Sequence, residues 1–218
     1  AFEYSTEKFA NNTFLLEKTD HKGKWIETTY SEFKDEVIGL GTALIRKLGL
    51  KDTRIAIIGE NTHYWYTAYM TMLCGVGIAV PIDKELPENE IENVLKRSKA
   101  SAVIFSKKKE EVIKRVAQNL PDVKYFIEMN SDSSLEDRFV GIEHLIEEGK
   151  TLVKNGDDSY MKIEIDPDEF KVLLFTSGTT SNAKGVMLCN RNLAQNINAA
   201  SAYVDLRPDD RLMSILPL

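Results

Sequence analysis

RIAIIGENTHYWYTAYMTMLCGVGIAVPID, residues 54–83, reads as strand, helix, strand. RIAIIG (54–59) is a short apolar run rich in β-branched residues and closed by Gly59, and IAVPID (78–83) is a second. Between them Asn61 is the expected N-cap of a helix reaching about Leu73. A strand returning beside its predecessor through a helix is the unit of a parallel sheet.

The alternation extends in both directions from this unit. Upstream, residues 1–25 read as an irregular or short-stranded lead-in, and Thr29 with Glu32 three places on forms a capping-box signature. Phe33, Val37, Leu40, Leu44 and Leu48 then recur at helical spacing until Gly49 supplies a stop. Downstream come a helix opening on Pro87 (87–100), the strand SAVIFS (101–106), a charged helix (107–119) and the strand VKYFIEM (123–129). A helix over 141–153 follows, with Ile142, Leu145, Ile146 and Val153 on its apolar face. The polar stretch from 154 to about 170 reads as a linker, KVLLFTS (171–177) as a strand, 190–204 as a helix and LMSILPL (212–218) as a last apolar strand. Strands apolar throughout, alternating with amphipathic helices, imply an α/β fold: a mostly parallel sheet flanked by helices on both faces.

Bulk properties exclude several function classes. With 218 residues, 43% hydrophobic and 28% charged, the chain has the composition of a globular domain with a sizeable core. Lys and Arg (28) fall short of Asp and Glu (34), so a net charge of -6 leaves no basic field for a nucleic acid. Cys74 and Cys189 stand far apart with only His21, His63 and His144 to assist them, which disfavours disulfide and zinc scaffolds. The longest apolar stretch, Met72–Ile82, is well short of the roughly 20 residues that span a bilayer. AFEYSTEKF at the start has no basic or apolar leader character and no Met, so a trimmed end and a reduced, cytoplasmic setting are the expectation.

The segment LFTSGTTSNAKGVML (174–188) carries the chemistry. An apolar strand delivers the chain into a loop of glycine and hydroxyl residues ending in Lys184. Small residues let backbone N–H groups approach an anion, the hydroxyls of Thr176, Ser177, Thr179 and Thr180 add donors, and Lys184 neutralises charge. The Walker spacing fails here, because Lys184 precedes Gly185 and Gly178 lies six residues before the lysine. By composition alone a plain connecting loop accounts for the segment as well.

The ordered string decides between these readings. TSGTT followed by Lys184-Gly185 resembles the phosphate-binding signature TSGTTGxPKG of the adenylate-forming superfamily, which includes acyl-CoA synthetases, peptide-synthetase adenylation domains and luciferases. WIETTYSEF (25–33), MLCGVGIAVPID (72–83), IDPDEFKVLLFTSG (165–178) and LPL (216–218) are similar to further segments of that family, in the family's order. SGTT and KGVML followed by Arg191-Asn192-Leu193 look more like fatty acyl-CoA synthetases than amino-acid-activating domains. Two positions depart from the pattern: Ser181 stands where Gly is usual and Ala183 where Pro is usual, which implies a somewhat more mobile loop.

The resemblance implies that residues 1–218 are the N-terminal part of an AMP-binding domain, with the phosphate loop at 176–185. The rest of that domain and a C-terminal domain lie outside the chain. It implies a ligase that uses ATP, Mg and CoA to activate a carboxylic acid, with a fatty acid as the favoured substrate. Thr176, Ser177, Gly178, Thr179, Thr180, Ser181, Lys184 and Gly185 would hold the ATP phosphates, with Lys184 as the catalytic charge and no metal-ligating residue in this chain. Two alternatives stand beside it: an adenylation domain that loads a carrier protein, and a non-catalytic nucleotide-loop module. The chain alone is expected to be inactive and to self-associate through uncovered apolar surface.

Other residues carry plainer readings. His63, Tyr64, Trp65, Tyr66 and Tyr69 are taken as a packing helix, with Trp65, Tyr69 and Met72 on one face and His63 lacking a partner carboxylate. Asp166, Asp168 and Glu169 read as a solvated acidic turn around Pro167, and the KKKEE run (107–111) as a solvated helix face. Cys189 is not read as a nucleophile, since no His stands near it, and His21 and His144 carry no signal.

Overall fold

Thr29 starts the first long helix as its capping box requires. Its hydroxyl accepts from the Glu32 backbone N–H at 3.2 Å, and Glu32 Oε2 accepts from the Thr29 N–H at 2.8 Å. The helix α2 (Tyr30–Arg46) buries Phe33, Val37, Leu40 and Leu44, and Gly49 turns the chain at φ +64°. The structure is a computed structural model that describes residues 2–18, 23–176, 184–204, 207 and 210–214.

Before α2 come a short helix α1 (Phe2–Lys8) and an antiparallel pair, β1 (Thr13–Lys18) with β2 (Trp25–Thr29). After it the chain alternates as expected: β3 (Thr53–Ile58), α3 (His63–Thr71), β4 (Gly77–Ile82), α4 (Glu88–Ser98), β5 (Ala102–Phe105), α5 (Glu110–Ala117) and β6 (Tyr125–Glu128). Then follow β7 (Phe139–Gly141), α6 (Ile142–Lys154), β8 (Phe170–Thr176), β9 (Lys184–Cys189) and α7 (Asn190–Ser201). Seven strands form one sheet in the order β7-β6-β5-β3-β4-β8-β9, parallel from β7 to β8 and antiparallel only at β8–β9.

The period-two geometry of strands explains the two cores. Ile55 and Ile57 face α2, α3 and α6, where they meet Val37, Leu44, Trp65 and Leu145. Ala56 and Ile58 face α4 and α5 and meet Ile91, Leu95, Ile113 and Phe126. Helices α2 and α6 cross at Gly39 and Gly149: a Cβ on Gly149 would lie 1.8 Å from the Gly39 carbonyl oxygen, so only glycine permits this approach.

Several expectations are corrected. The lead-in contains helix α1, packed edge-to-face on α2 through Phe2 and Phe33. The N-cap of α3 is Thr62 rather than Asn61, and beyond Thr71 the helix loosens into a π turn (Met72–Val76) with Gly75 at φ +131°. Pro87 is the N-cap of α4, not its first helical residue. The stretch 154–169, expected as a linker, is mostly exposed but holds one anchor: Tyr160 is 4% exposed, its ring sits against Gly41, and its hydroxyl donates to the Thr71 carbonyl at 3.2 Å. Strand β7 was not anticipated. Residues 212–214 of the expected last strand form no strand, with Leu212 and Met213 exposed, and 215–218 lie outside the described residues.

Candidate functional site

Strand β8 leaves the core as it approaches the phosphate loop. Val172 and Leu173 are buried, Leu174 and Phe175 are half-buried and Thr176 is exposed. The chain returns along β9, a strand for which the sequence carries no expectation. Cross-strand partners run from Phe170 opposite Cys189 to Thr176 opposite Lys184. Of the anticipated site residues, the structure therefore brings Thr176, Lys184 and Gly185 together at the loop end of a hairpin. Ser177, Gly178, Thr179, Thr180 and Ser181 lie outside the described residues.

Lys184 is exposed and has no ion-pair partner among the described residues, and the Thr176 hydroxyl donates to its carbonyl at 3.4 Å. Gly185 lies opposite Phe175, and a Cβ there would stand 3.1 Å from the Leu173 side chain, so the absence of a side chain lets the strands close beside the loop. A glycine- and hydroxyl-rich connection runs between Thr176 and Lys184 in the sequence. No cluster of His, Cys, Asp or Glu able to hold a metal occurs among the described residues, and no described helix is long and apolar enough to cross a membrane.

The hairpin is tied down at its other end. Arg191 donates from Nε and Nη2 to the two carboxylate oxygens of Asp168, at 2.5 and 2.8 Å, and its backbone N–H donates to the Pro167 carbonyl at 2.9 Å. The hydrogen bonds from Arg191 hold the Asp168 carboxyl below its usual range. Asn190 Nδ2 donates to the Leu73 carbonyl in the π turn at 3.1 Å. Cys189 supplies the start of α7, and Asn192 Oδ1 accepts from both its backbone N–H and its thiol. The acidic turn is thus paired rather than simply solvated: Asp166 caps the Asp168 N–H and Glu169 meets Lys171, a lysine whose side chain is only 5% exposed. The KKKEE run is paired as well, Lys107 bridging Glu110 and Glu128.

The aromatic helix is a packing helix as expected, with Trp65 buried and stacked on Tyr69. His63, however, has carboxylate partners. Glu17 Oε2 lies 3.1 Å from its Nδ1 and accepts its backbone N–H, and Glu36 Oε1 lies 3.8 Å from Nε2. Burial pushes the Glu17 carboxyl up, but the side-chain and backbone hydrogen bonds from His63 outweigh it, so Glu17 sits below its ordinary value. Burial prevails at Glu36 and holds it above. No local pattern could have revealed this cluster, because Glu17 and His63 are 46 residues apart.

The chain is similar to known proteins over nearly its whole length. The chain is 31% identical over 216 residues to long-chain-fatty-acid–CoA ligase 5 of Rattus norvegicus, covering 92% of this chain and 31% of that protein. It is 26% identical over 228 residues to the chloroplastic long-chain-fatty-acid–[acyl-carrier-protein] ligase AEE15 of Arabidopsis thaliana, covering 98% and 31%. A red-emitting luciferase from Phrixothrix hirtus superposes with a TM-score of 0.75 at 22% identity, over 92% of this chain and 37% of that one, a likeness of fold. The chain thus spans about a third of the length of these relatives. It matches the family of AMP-binding enzymes over residues 2–218, and it belongs to that family.

Proposed function

We propose that the whole protein is an ATP-dependent carboxylic acid–CoA ligase acting on a fatty acid. The observation that carries this reading is the pairing of Thr176 with an exposed, unpartnered Lys184 across the hairpin that frames SGTTSNA. A carboxylate oxygen of the acid attacks the α-phosphorus of ATP, the bond to the bridging oxygen breaks, and pyrophosphate leaves with the electron pair. The sulfur of CoA then attacks the acyl carbon and AMP departs. In the first step Lys184 and the loop's N–H and hydroxyl donors stabilise the charge gathering on pyrophosphate, an electrostatic role fixed before the reaction begins. Mg is implied by the resemblance, but the described residues offer it no ligand cluster, and no step is assigned to it.

The test is carboxylate-dependent ATP–pyrophosphate exchange by the whole protein. Lys184→Ala slows exchange on the order of 10²-fold, the loss typical of one oxyanion contact, equivalent to about 2 to 4 kcal/mol. Its melting changes by no more than about 0.5 kcal/mol, because an exposed, unpaired lysine contributes little to folding. Lys184→Arg recovers part of the rate, its planar fork replacing a compact ammonium. Equal exchange in wild type and Lys184→Ala would overturn the phosphate role.

A second reading, in which the acyl group passes to a carrier protein, is supported by the acyl-carrier-protein ligase among the relatives. Comparing thioester formation on CoA and on a phosphopantetheinyl carrier protein separates the two.

A further inference from the structure

Strand β9 meets the core only near its end, through half-buried Leu188, and its loop-side half has nothing buried to fix its register. It is the sheet's edge, bonded to β8 alone among the described residues, and Lys184, Gly185, Val186 and Met187 are all exposed. Register is strongly specified where one face of a strand is buried and weakly where both are open. A slip of one residue would carry Lys184 about 3.4 Å along the hairpin and turn it to the opposite face. Thr176 and Lys184 nonetheless stand opposite one another.

What resists the slip lies at the far end of the hairpin. Asp168 precedes β8 and Arg191 follows β9, and the guanidinium spans them with two parallel hydrogen bonds, while the Arg191 N–H reaches the Pro167 carbonyl. A planar fork on a carboxylate has one satisfactory alignment, so a shifted strand would lose both bonds together. Asn190 bonds the π-turn carbonyl of Leu73, which ties the same corner to the approach of β4. These contacts fix the corner in two directions: along the strands through Asp168, and against the body of the sheet through Leu73.

We propose that Arg191 and Asp168, assisted by Asn190, are positioning residues that set the register of the hairpin and thereby place Lys184 and Thr176 at the phosphate loop. The part concerning phosphate rests on the ligase reading above, and the part concerning register does not. Both side chains of the clasp are more than half exposed, so its contribution to global stability is small and its effect is local.

The first measurement needs no activity. Amide hydrogen exchange of the 218-residue chain is compared between wild type, Arg191→Ala and Arg191→Lys. Arg191→Ala raises exchange in 170–176 and 184–189 while β3 and β5 stay protected, and Arg191→Lys falls between. Unchanged exchange in the hairpin overturns the proposal whatever the activity. The second measurement is steady-state kinetics of the whole protein. Arg191→Ala raises KM for ATP on the order of tenfold through misplacement of a contact group, leaving KM for the carboxylic acid unchanged. The double variant Asp168→Arg/Arg191→Asp recovers part of that loss. A loosened hairpin with an unaltered KM for ATP overturns the link to the loop. A wild type without carboxylate-dependent exchange overturns the ligase reading instead, and leaves the register claim to stand or fall on hydrogen exchange.

Discussion

At the scale of single residues, the Glu17–His63–Glu36 cluster gives the protein two opposed responses to acid. Glu17, held below its ordinary value of 4.5 by His63, contributes stability that is present above that value and is lost as pH falls through the folded-state pKa. Glu36, raised by burial, has the opposite sign. Its contribution is present below 4.5 and lost as pH rises through its folded-state pKa, against the smaller lowering effects of His63, the Thr67 hydroxyl and Lys150 and alongside the raising effect of Glu32. Denaturant titrations between pH 3 and 7 should therefore separate two isosteres. Glu17→Gln flattens the acid loss and lowers stability at neutral pH. Glu36→Gln maintains or raises stability at neutral pH and steepens the loss on acidification. Parallel pH profiles for the two variants would show that the cluster does not govern acid behaviour. The sequence displayed His63 as a lone histidine on an apolar helix, because its partners come from β1 and α2, and such a contact has no signature in spacing. The expected phosphate loop is the opposite case: its reading rests on one unbroken run of residues, of which 177–183 lie outside the described residues.

At the scale of elements, what was legible is what local physics decides. The capping box at Thr29, the helical spacing through Leu44 and the apolar runs of β3, β4 and β5 each act within a few residues, and each appears where it was expected. The misses are elements fixed by distant partners. Strand β7 is three residues, Phe139–Gly141, added to the edge of β6, and too short to show a period. The stretch 154–169 is polar in sequence, yet it folds back so that Tyr160 fills the space above Gly41, where any Cβ would meet its ring at 2.4 Å. Polarity around one aromatic residue concealed an anchor. Tyr160→Ala is accordingly expected to cost about 3 kcal/mol or more, the range for emptying a buried aromatic site. Tyr160→Phe removes the hydroxyl's bonds to the Thr71 carbonyl and to the Cys74 thiol while keeping the ring, and costs about 1 kcal/mol. Met161→Ala, next in sequence and 48% exposed, stays within about 0.5 kcal/mol of wild type. Chemical denaturation of the three variants checks this, and equal losses at 160 and 161 would return the segment to the status of a linker.

At the scale of the whole molecule, burial is unevenly distributed. The two faces of the sheet from β7 to β4 are closed by helices, and their apolar side chains are almost wholly out of water. Past Lys184 the balance reverses. Val186, Met187, Ile197, Tyr203, Val204, Leu212 and Met213 are all exposed, Tyr203 at 91%, and α7 buries no residue. Helix α7 was legible as a helix from its own pattern, but an apolar stripe does not reveal what covers it. Among the described residues only Leu193 of that stripe meets the core. These exposed apolar side chains, together with an edge strand bonded on one side only among the described residues, favour association, and a net charge of -6 spread over 218 residues opposes it weakly. The 218-residue chain should therefore form dimers or larger species that grow with concentration from the micromolar to the millimolar range, as read by light scattering. Met187→Lys with Ile197→Lys should shift it toward monomer without altering its circular dichroism, since neither side chain packs in a core. Added salt should strengthen association of the wild type by screening its charge. A wild-type chain that stays monomeric across the whole range would mean that β9 and α7 cover one another in solution, and that the exposed surface past Lys184 is not a binding face.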